Sequence, residues 1–318
     1  MKSVQILKKY SFLIGVLLFI FILSRLNFGY YRQLLAGIRL SGILLIFSFI
    51  ILLFLPSVAL KAYRWQRLMK VQGIHYSFIQ TFLMYQASVF IGMFTPARVG
   101  EASRVFYLKK DHSLGRSFVS IVLDRLFDMA FLLIFGYLSM FLFLGILKKE
   151  IVVFGIIVTA LLLLIISIWK SRLLQLSLKK IFYYFAPQKH HDSLKLSFQD
   201  FFRDLKIYKF GDYAFSFFLT LIIWFAFYLL VYLFAREIGI NIPFIYFSSA
   251  IAIASLIAFL PISIAGLGTR DAVLLVMFSF FKVPPELTIA VSMFILLLTI
   301  FISAIGLFCW FKKPLFRD

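Results

Sequence analysis

The sequence predicts an all-α polytopic membrane protein, with about eight transmembrane or re-entrant helical elements in two halves of inverted topology. Three observations carry that class. The 318-residue chain is 63% hydrophobic and only 14% charged, against about 25% charged in an ordinary soluble domain. Its mean hydropathy is +1.01, and several continuous apolar runs approach or pass the roughly 20 residues that cross a hydrocarbon core. Continuous rather than alternating runs disfavour an outer-membrane barrel. Finally, two polar stretches broken by proline and glycine interrupt the apolar pattern at corresponding places in the two halves.

The net charge is +20. Basic residues fall in the short segments between apolar runs, as the positive-inside bias requires. The charge therefore reads as topology plus attraction to an anionic leaflet, with no nucleic-acid partner. A single cysteine, Cys309, excludes an intramolecular disulfide and a cysteine metal cluster. His75, His112, His190 and His191 have no metal-ligand spacing with carboxylates, so neither a metal nor another cofactor is expected.

Taken in order, residues 10–23 follow Lys2, Lys8 and Lys9 and lack a small-x-small cleavage site, which makes them a retained first span. Residues 41–60 return the chain to a basic cluster, Lys61, Arg64, Arg67 and Lys70. Residues 77–94 have that cluster before them and Arg98, Arg104, Lys109, Lys110 and Arg116 after them. A full crossing would place the second group outside, so charge favours a re-entrant element. Residues 117–146 then lead out and 151–169 lead back to a basic stretch. Within it Leu194, Phe198, Phe201, Phe202 and Leu205 form one helical stripe. Such a helix either lies along the membrane surface or packs beneath the membrane domain. Residues 213–235 lead out again, and 287–311 lead back to Lys312, Lys313 and Arg317. Residues 242–281 must then leave and return on the outer side, a second re-entrant pair inverted relative to the first. The expectation is one integral membrane domain over 1–318, with half-repeats 1–147 and 148–318. A cytoplasmic amphipathic segment covers 171–210, and both termini face the cytoplasm from the plasma membrane.

The polar stretches carry the chemistry. The first holds Pro96, Arg98, Gly100, Glu101 and Arg104; the second holds Pro261, Gly266, Gly268, Thr269, Arg270 and Asp271. Each runs from proline to Gly-x-x-x-Arg, half a chain length apart. Paired Gly/Pro-interrupted segments point to a transporter with its site near the bilayer midplane. Thr95 and Thr269 are positioned to cap helices that start there, directing free N–H groups at a ligand. Arg98, Arg104 and Arg270 add guanidinium forks suited to phosphate, with Arg104 and Arg270 expected to share one ligand. The bland reading is that these arginines snorkel to a headgroup interface. A third site, Asp124, Arg125 and Asp128, places ionisable residues inside a span, with Arg125 and Asp128 spaced to pair. It reads equally as a coupling site or as a structural ion pair. Arg64-Trp65 reads as an interfacial anchor.

Four ordered motifs go further: R-W-x-x-L-M from Arg64, F-x-P-A-R-x-G-E-x-x-R from Phe94, S-I-V-x-D-R-x-x-D from Ser120 and L-P-x-S-x-x-G-L-G-x-R-D from Leu260. Together they resemble the lysylphosphatidylglycerol synthase transmembrane family, also called flippase-like domain proteins, which includes the membrane half of the multiple peptide resistance factor. Asp124 and Asp271 stand where relatives often carry glutamate. The resemblance implies a fold of two inverted halves with re-entrant helices and movement of a lipid between leaflets. The implied lipid is of the aminoacylated phosphatidylglycerol, glycolipid or polyprenyl-phosphate type. The implied substrate-binding residues are Arg98, Gly100, Glu101, Arg104, Gly266, Gly268, Thr269 and Arg270, and the implied coupling or structural ion pairs involve Asp124, Arg125, Asp128 and Asp271. The chain ends at Asp318, soon after its last apolar run. The expectation is that no aminoacyl-transferase domain is attached and the chain is not itself an enzyme. The implied partners are membrane lipids with anionic phosphate headgroups and a separately encoded synthase or glycosyltransferase, and an oligomer is compatible with the sequence. The rival readings are an anchoring subunit for such an enzyme and a membrane-embedded lipid transferase.

Overall fold

A computed structural model describes residues 40–108, 113–143, 200–258, 263 and 265–312. The expected spans at 10–23 and 151–169, together with Pro261 and the chain termini, lie outside the described residues. Among the described residues all regular structure is helical.

Helix α1 covers Leu40–Val71 and widens into a π turn at Ile50–Phe54. Pro56 follows one residue later. It has no N–H to give, and its ring crowds the carbonyl four residues back, so the ladder expands instead of breaking. The helix stops at Gly73, whose φ of +74 only glycine takes without strain. There Gly73 N–H bonds Lys70 O, and Ile74 N–H bonds Met69 O, at 2.9 and 3.0 Å.

Helix α2, Phe78–Met93, starts from a reciprocal cap between Ser77 and Gln80. After it the chain doubles back through a 3₁₀ stretch, Pro96–Ser103, and a short helix α3, Arg104–Leu108. Gly100 lies against the Ile91 carbonyl, Glu101 against Gly92, and the Arg104 guanidinium 4.5 Å from the Tyr85 ring centre. Helix α4, Leu114–Met140, is capped by Ser113. Helix α5 is Phe210–Glu237 and α6 is Phe244–Ala258. A turn through 265–268 reverses the chain into α7, Thr269–Ser279, with Gly266 against Ala258 and the Phe247 and Phe278 rings 5.3 Å apart. Helix α8 is Pro285–Lys312.

Both halves thus show a long helix, a shorter one, a polar reversal, a short return helix and another long helix. Their packing is exchanged. The hairpin helix α2 lies on α8 of the other half, α6 lies on α4, and α1 lies on α5. Small residues permit the first two contacts: Gly306 faces the Gln86 carbonyl, and Gly136 faces Leu256. The two polar reversals consequently face one cavity.

The ends of α1 and α3, the start of α4 and the short helix at 200–205 gather on one face. Gln72 and Arg116 bond each other's backbone carbonyls, and Asp204 takes both side chains, at 3.2 and 3.3 Å. Ser113 bonds Asp200 at 2.7 Å, and Tyr208 donates to the Leu68 carbonyl at 2.9 Å. Phe201 and Leu205 pack beneath Leu68, Val119, Leu123 and Phe127. The described end of the amphipathic stripe is therefore docked under the bundle, while Leu194 and Phe198 lie outside the described residues. Among the described residues three helices, α1, α5 and α8, are long and apolar enough to cross a membrane. Helix α4 has the length but carries Arg116, Asp124, Arg125 and Asp128.

Candidate functional site

The polar centre begins with a buried arginine. Arg64 projects from α1 into the bundle, where its Nε and Nη2 reach one Asp124 oxygen at 2.9 and 2.8 Å. Its Nη1 reaches Asp128 at 3.0 Å and the Thr220 hydroxyl at 2.5 Å. Asp124 also accepts from Arg104 at 2.9 Å, so one carboxylate joins α1, α3 and α4. The Arg104 guanidinium is sandwiched, 4.9 Å from the Trp65 ring centre and 4.5 Å from that of Tyr85. Such faces stabilise a desolvated cation. Asp128 takes a further bond from Trp224 Nε1 at 3.3 Å. Arg64, Asp124 and Arg104 are buried. Buried ions persist only when paired and hydrogen-bonded, and these are.

The pairing differs from the sequence expectation in two respects. Arg125 does not pair with Asp128; it reaches Glu101 in the first reversal. Arg64-Trp65 is not an interfacial anchor, since both side chains are buried and Trp65 donates to Ser120 at 3.2 Å. Arg64 is a residue of this buried polar centre that sequence reasoning missed. The available signal was one of balance: two intramembrane carboxylates on α4 need more than the single arginine between them.

The second reversal is built on backbone geometry. Gly266 and Gly268 adopt φ of +76 and +77, and Ala265 adopts +53 without being glycine. Thr269 does not cap α7. It opens the helix and shares a 2.7 Å bond with Ser263, while Asp271 reaches back to the Gly268 N–H at 2.7 Å. Arg270 donates to the Ser292 hydroxyl at 2.8 Å and carbonyl at 3.0 Å, with Asp271 at 3.5 Å, and Ser292 in turn bonds Asp271. In the first reversal Thr95 holds the N-cap position without a side-chain capping bond, and its hydroxyl accepts instead from the Gly100 N–H, five residues on, at 2.8 Å. That segment is 3₁₀ rather than α, and the Gly100 N–H is used internally, so it is not free for a ligand.

Between the reversals lies a cavity of about 160 Å³. Lys61, Arg98, Glu101, Arg125, Asp128 and Arg270 are its charged lining, with Gly266 and Ala265 beside them. Apolar walls come from α1, α5 and α8, including Phe54, Ile223 and Leu298. Arg98 sits at φ +55. Left-handed non-glycine residues persist only where surrounding structure over-determines them, and they concentrate at ligand clamps. Here each reversal contributes one, Arg98 and Ala265, to the cavity wall.

Residues 10–306 match the family described as the lysylphosphatidylglycerol synthase TM region. The chain belongs to that family. A similar protein is the UPF0104 membrane protein MJ1595 of Methanocaldococcus jannaschii, 28% identical over 260 residues that cover 76% of each chain. No solved structure matches.

The family match spans both reversals and the α4 carboxylates. Of the residues the motifs singled out, Arg98, Glu101, Arg125, Asp128, Gly266 and Arg270 line the cavity. Arg104, Asp124 and Asp271 stand behind its wall in closed pairs, so Arg104 and Arg270 are not placed to grip one ligand. Lys61, read only as part of a basic cluster, is on the wall. Among the described residues no three His, Cys, Asp or Glu side chains could together hold a metal ion.

Proposed function

We propose that this family member moves a lipid with a phosphate headgroup between membrane leaflets. The observation that carries the reading is the cavity itself. Both polar reversals meet there, four cationic side chains line it against two carboxylates, and apolar helices continue its walls. A charged headgroup crossing hydrocarbon needs its hydration replaced by fixed polar groups, while the acyl chains need an apolar border. Exchanged packing of the two hairpins gives the cavity two sides that can open in turn. The purified full chain, reconstituted into vesicles, is expected to speed exchange of tail-labelled phospholipid between leaflets, read by bleaching the outer leaflet. Exchange no faster than in protein-free vesicles, across phosphate lipids of every headgroup class, overturns the reading. Formation of a new lipid species during the assay would move the assignment to a lipid transferase.

A further inference from the structure

We infer that the headgroup accepted by this cavity is a net-anionic phosphate ester, and that a lipid made cationic by aminoacylation is a poor substrate. The inference rests on the translocator reading and specifies the chemistry of the same cavity. Its ground is which charges are already spoken for. Glu101 is paired with Arg125. Asp128 accepts from Arg64 at 3.0 Å and from Trp224 at 3.3 Å. Asp271, behind the wall, takes the Gly268 N–H, Ser292 and Arg270. Every carboxylate at the cavity is thus neutralised before a ligand arrives, and none is left for an ammonium group.

The cations show the opposite. Arg125 and Arg270 have carboxylate partners, but Lys61 and Arg98 have none within ion-pair distance among the described residues. Lys61 instead faces the Trp224 ring, 5.7 Å from its centre. Gln86, buried on the same wall, has neither amide atom hydrogen-bonded among the described residues. A buried unpaired amide and two cations without an ion-pair partner are costly beside hydrocarbon, and an anion with several acceptor oxygens would pair both cations and take the Gln86 N–H groups. A phosphate mono- or diester fits that description. The ammonium groups of a lysyl headgroup would instead face like charge in a medium that screens poorly. The same phosphate chemistry occurs in lipid headgroups and in free phosphate, which the experiment must separate.

The test compares tail-labelled phosphatidylglycerol with its lysyl ester at equal mole fraction in vesicles holding the full chain, some loaded with labelled inorganic phosphate. Phosphatidylglycerol is expected to cross at least about tenfold faster, the factor one charge-assisted hydrogen bond supplies. Lys61→Gln and Arg98→Gln should each shrink that ratio towards one. Should Arg98→Gln misfold, Lys61→Gln gives the same readout, and the wild-type comparison needs no variant. Crossing by the lysyl ester as fast or faster overturns the inference and leaves the translocator reading standing. No crossing by either lipid overturns both. Release of trapped inorganic phosphate with neither lipid moving overturns the lipid source.

Discussion

Asp124 is the residue on which the buried charge balance turns. It faces Arg64 at 2.8 Å and Arg104 at 2.9 Å, and all three are buried. Asp124→Asn keeps the shape but leaves two guanidinium groups short of one charge. Breaking a buried pair from one side costs about 3–5 kcal/mol, so this variant should show a clearly lowered unfolding midpoint in detergent. A midpoint within error of wild type would mean the network does not hold the fold. Arg98 should behave in the opposite way, since it has no carboxylate partner among the described residues. Arg98→Gln is expected to leave stability unchanged or raise it, because it removes a cation without an ion-pair partner, while slowing lipid exchange. Arg104 and Arg270 belong to separate pairs, with Asp124 and with Asp271 and Ser292. Their alanine variants should therefore act additively on stability, within about 0.5 kcal/mol. A double variant no worse than the poorer single would restore the idea that they share a partner.

At the level of helices, the exchanged packing makes two glycines unequal. A methyl added at Gly306 falls on the backbone carbonyl of Gln86, which α2 cannot move without shifting as a body. A methyl at Gly136 meets only Leu256 Cδ1, at 2.6 Å, the far end of a flexible side chain. Gly306→Ala should cost about 1–3 kcal/mol, as overpacking does, and Gly136→Ala clearly less. Equal unfolding midpoints for the two would mean that the α2–α8 contact is looser than described. The long helices were readable in the sequence because continuous apolar runs leave few other structures possible in lipid, and α1, α5 and α8 fall where such runs predict. Basic residues on both sides of 77–94 also made a reversal there readable. What could not be read was the use of individual arginines. Lys61, Arg64, Arg67 and Lys70 form one run in sequence, yet Arg64 is buried while Lys70 is exposed. The difference is made by Asp124 and Asp128 on a distant helix, and no local pattern encodes that pairing. Thr269 was misread as a cap for a related reason. Gly268, at φ +77, takes that position, and Asp271 closes the turn from inside the helix.

For the whole molecule, the gathered face decides which loops share a side of the membrane. Gln72 after α1, Ser113 before α4 and Asp200 and Asp204 ahead of α5 are linked by direct hydrogen bonds. The hairpin α2–α3 starts and finishes on this face, so within the described residues the chain enters and leaves it without a full crossing. Helix α5 spans from there to Glu237, whose carboxylate lies against Gly42 near the start of α1. Exposed positions on opposite ends are therefore available: Lys70 and Lys206 on the gathered face, and Asn241 beyond the far end of α5. Single cysteines at these three positions, in a Cys309→Ala background, give a direct test with a membrane-impermeant thiol reagent. The positive-inside bias predicts that the gathered face is cytoplasmic. Lys70→Cys and Lys206→Cys should then be labelled only after the membrane is opened, and Asn241→Cys in intact cells. Labelling of all three from one side would exclude α5 as a crossing helix. Labelling of Lys70→Cys and Lys206→Cys from opposite sides would show that the hairpin crosses fully, and the expected re-entrant topology of the first half would fall.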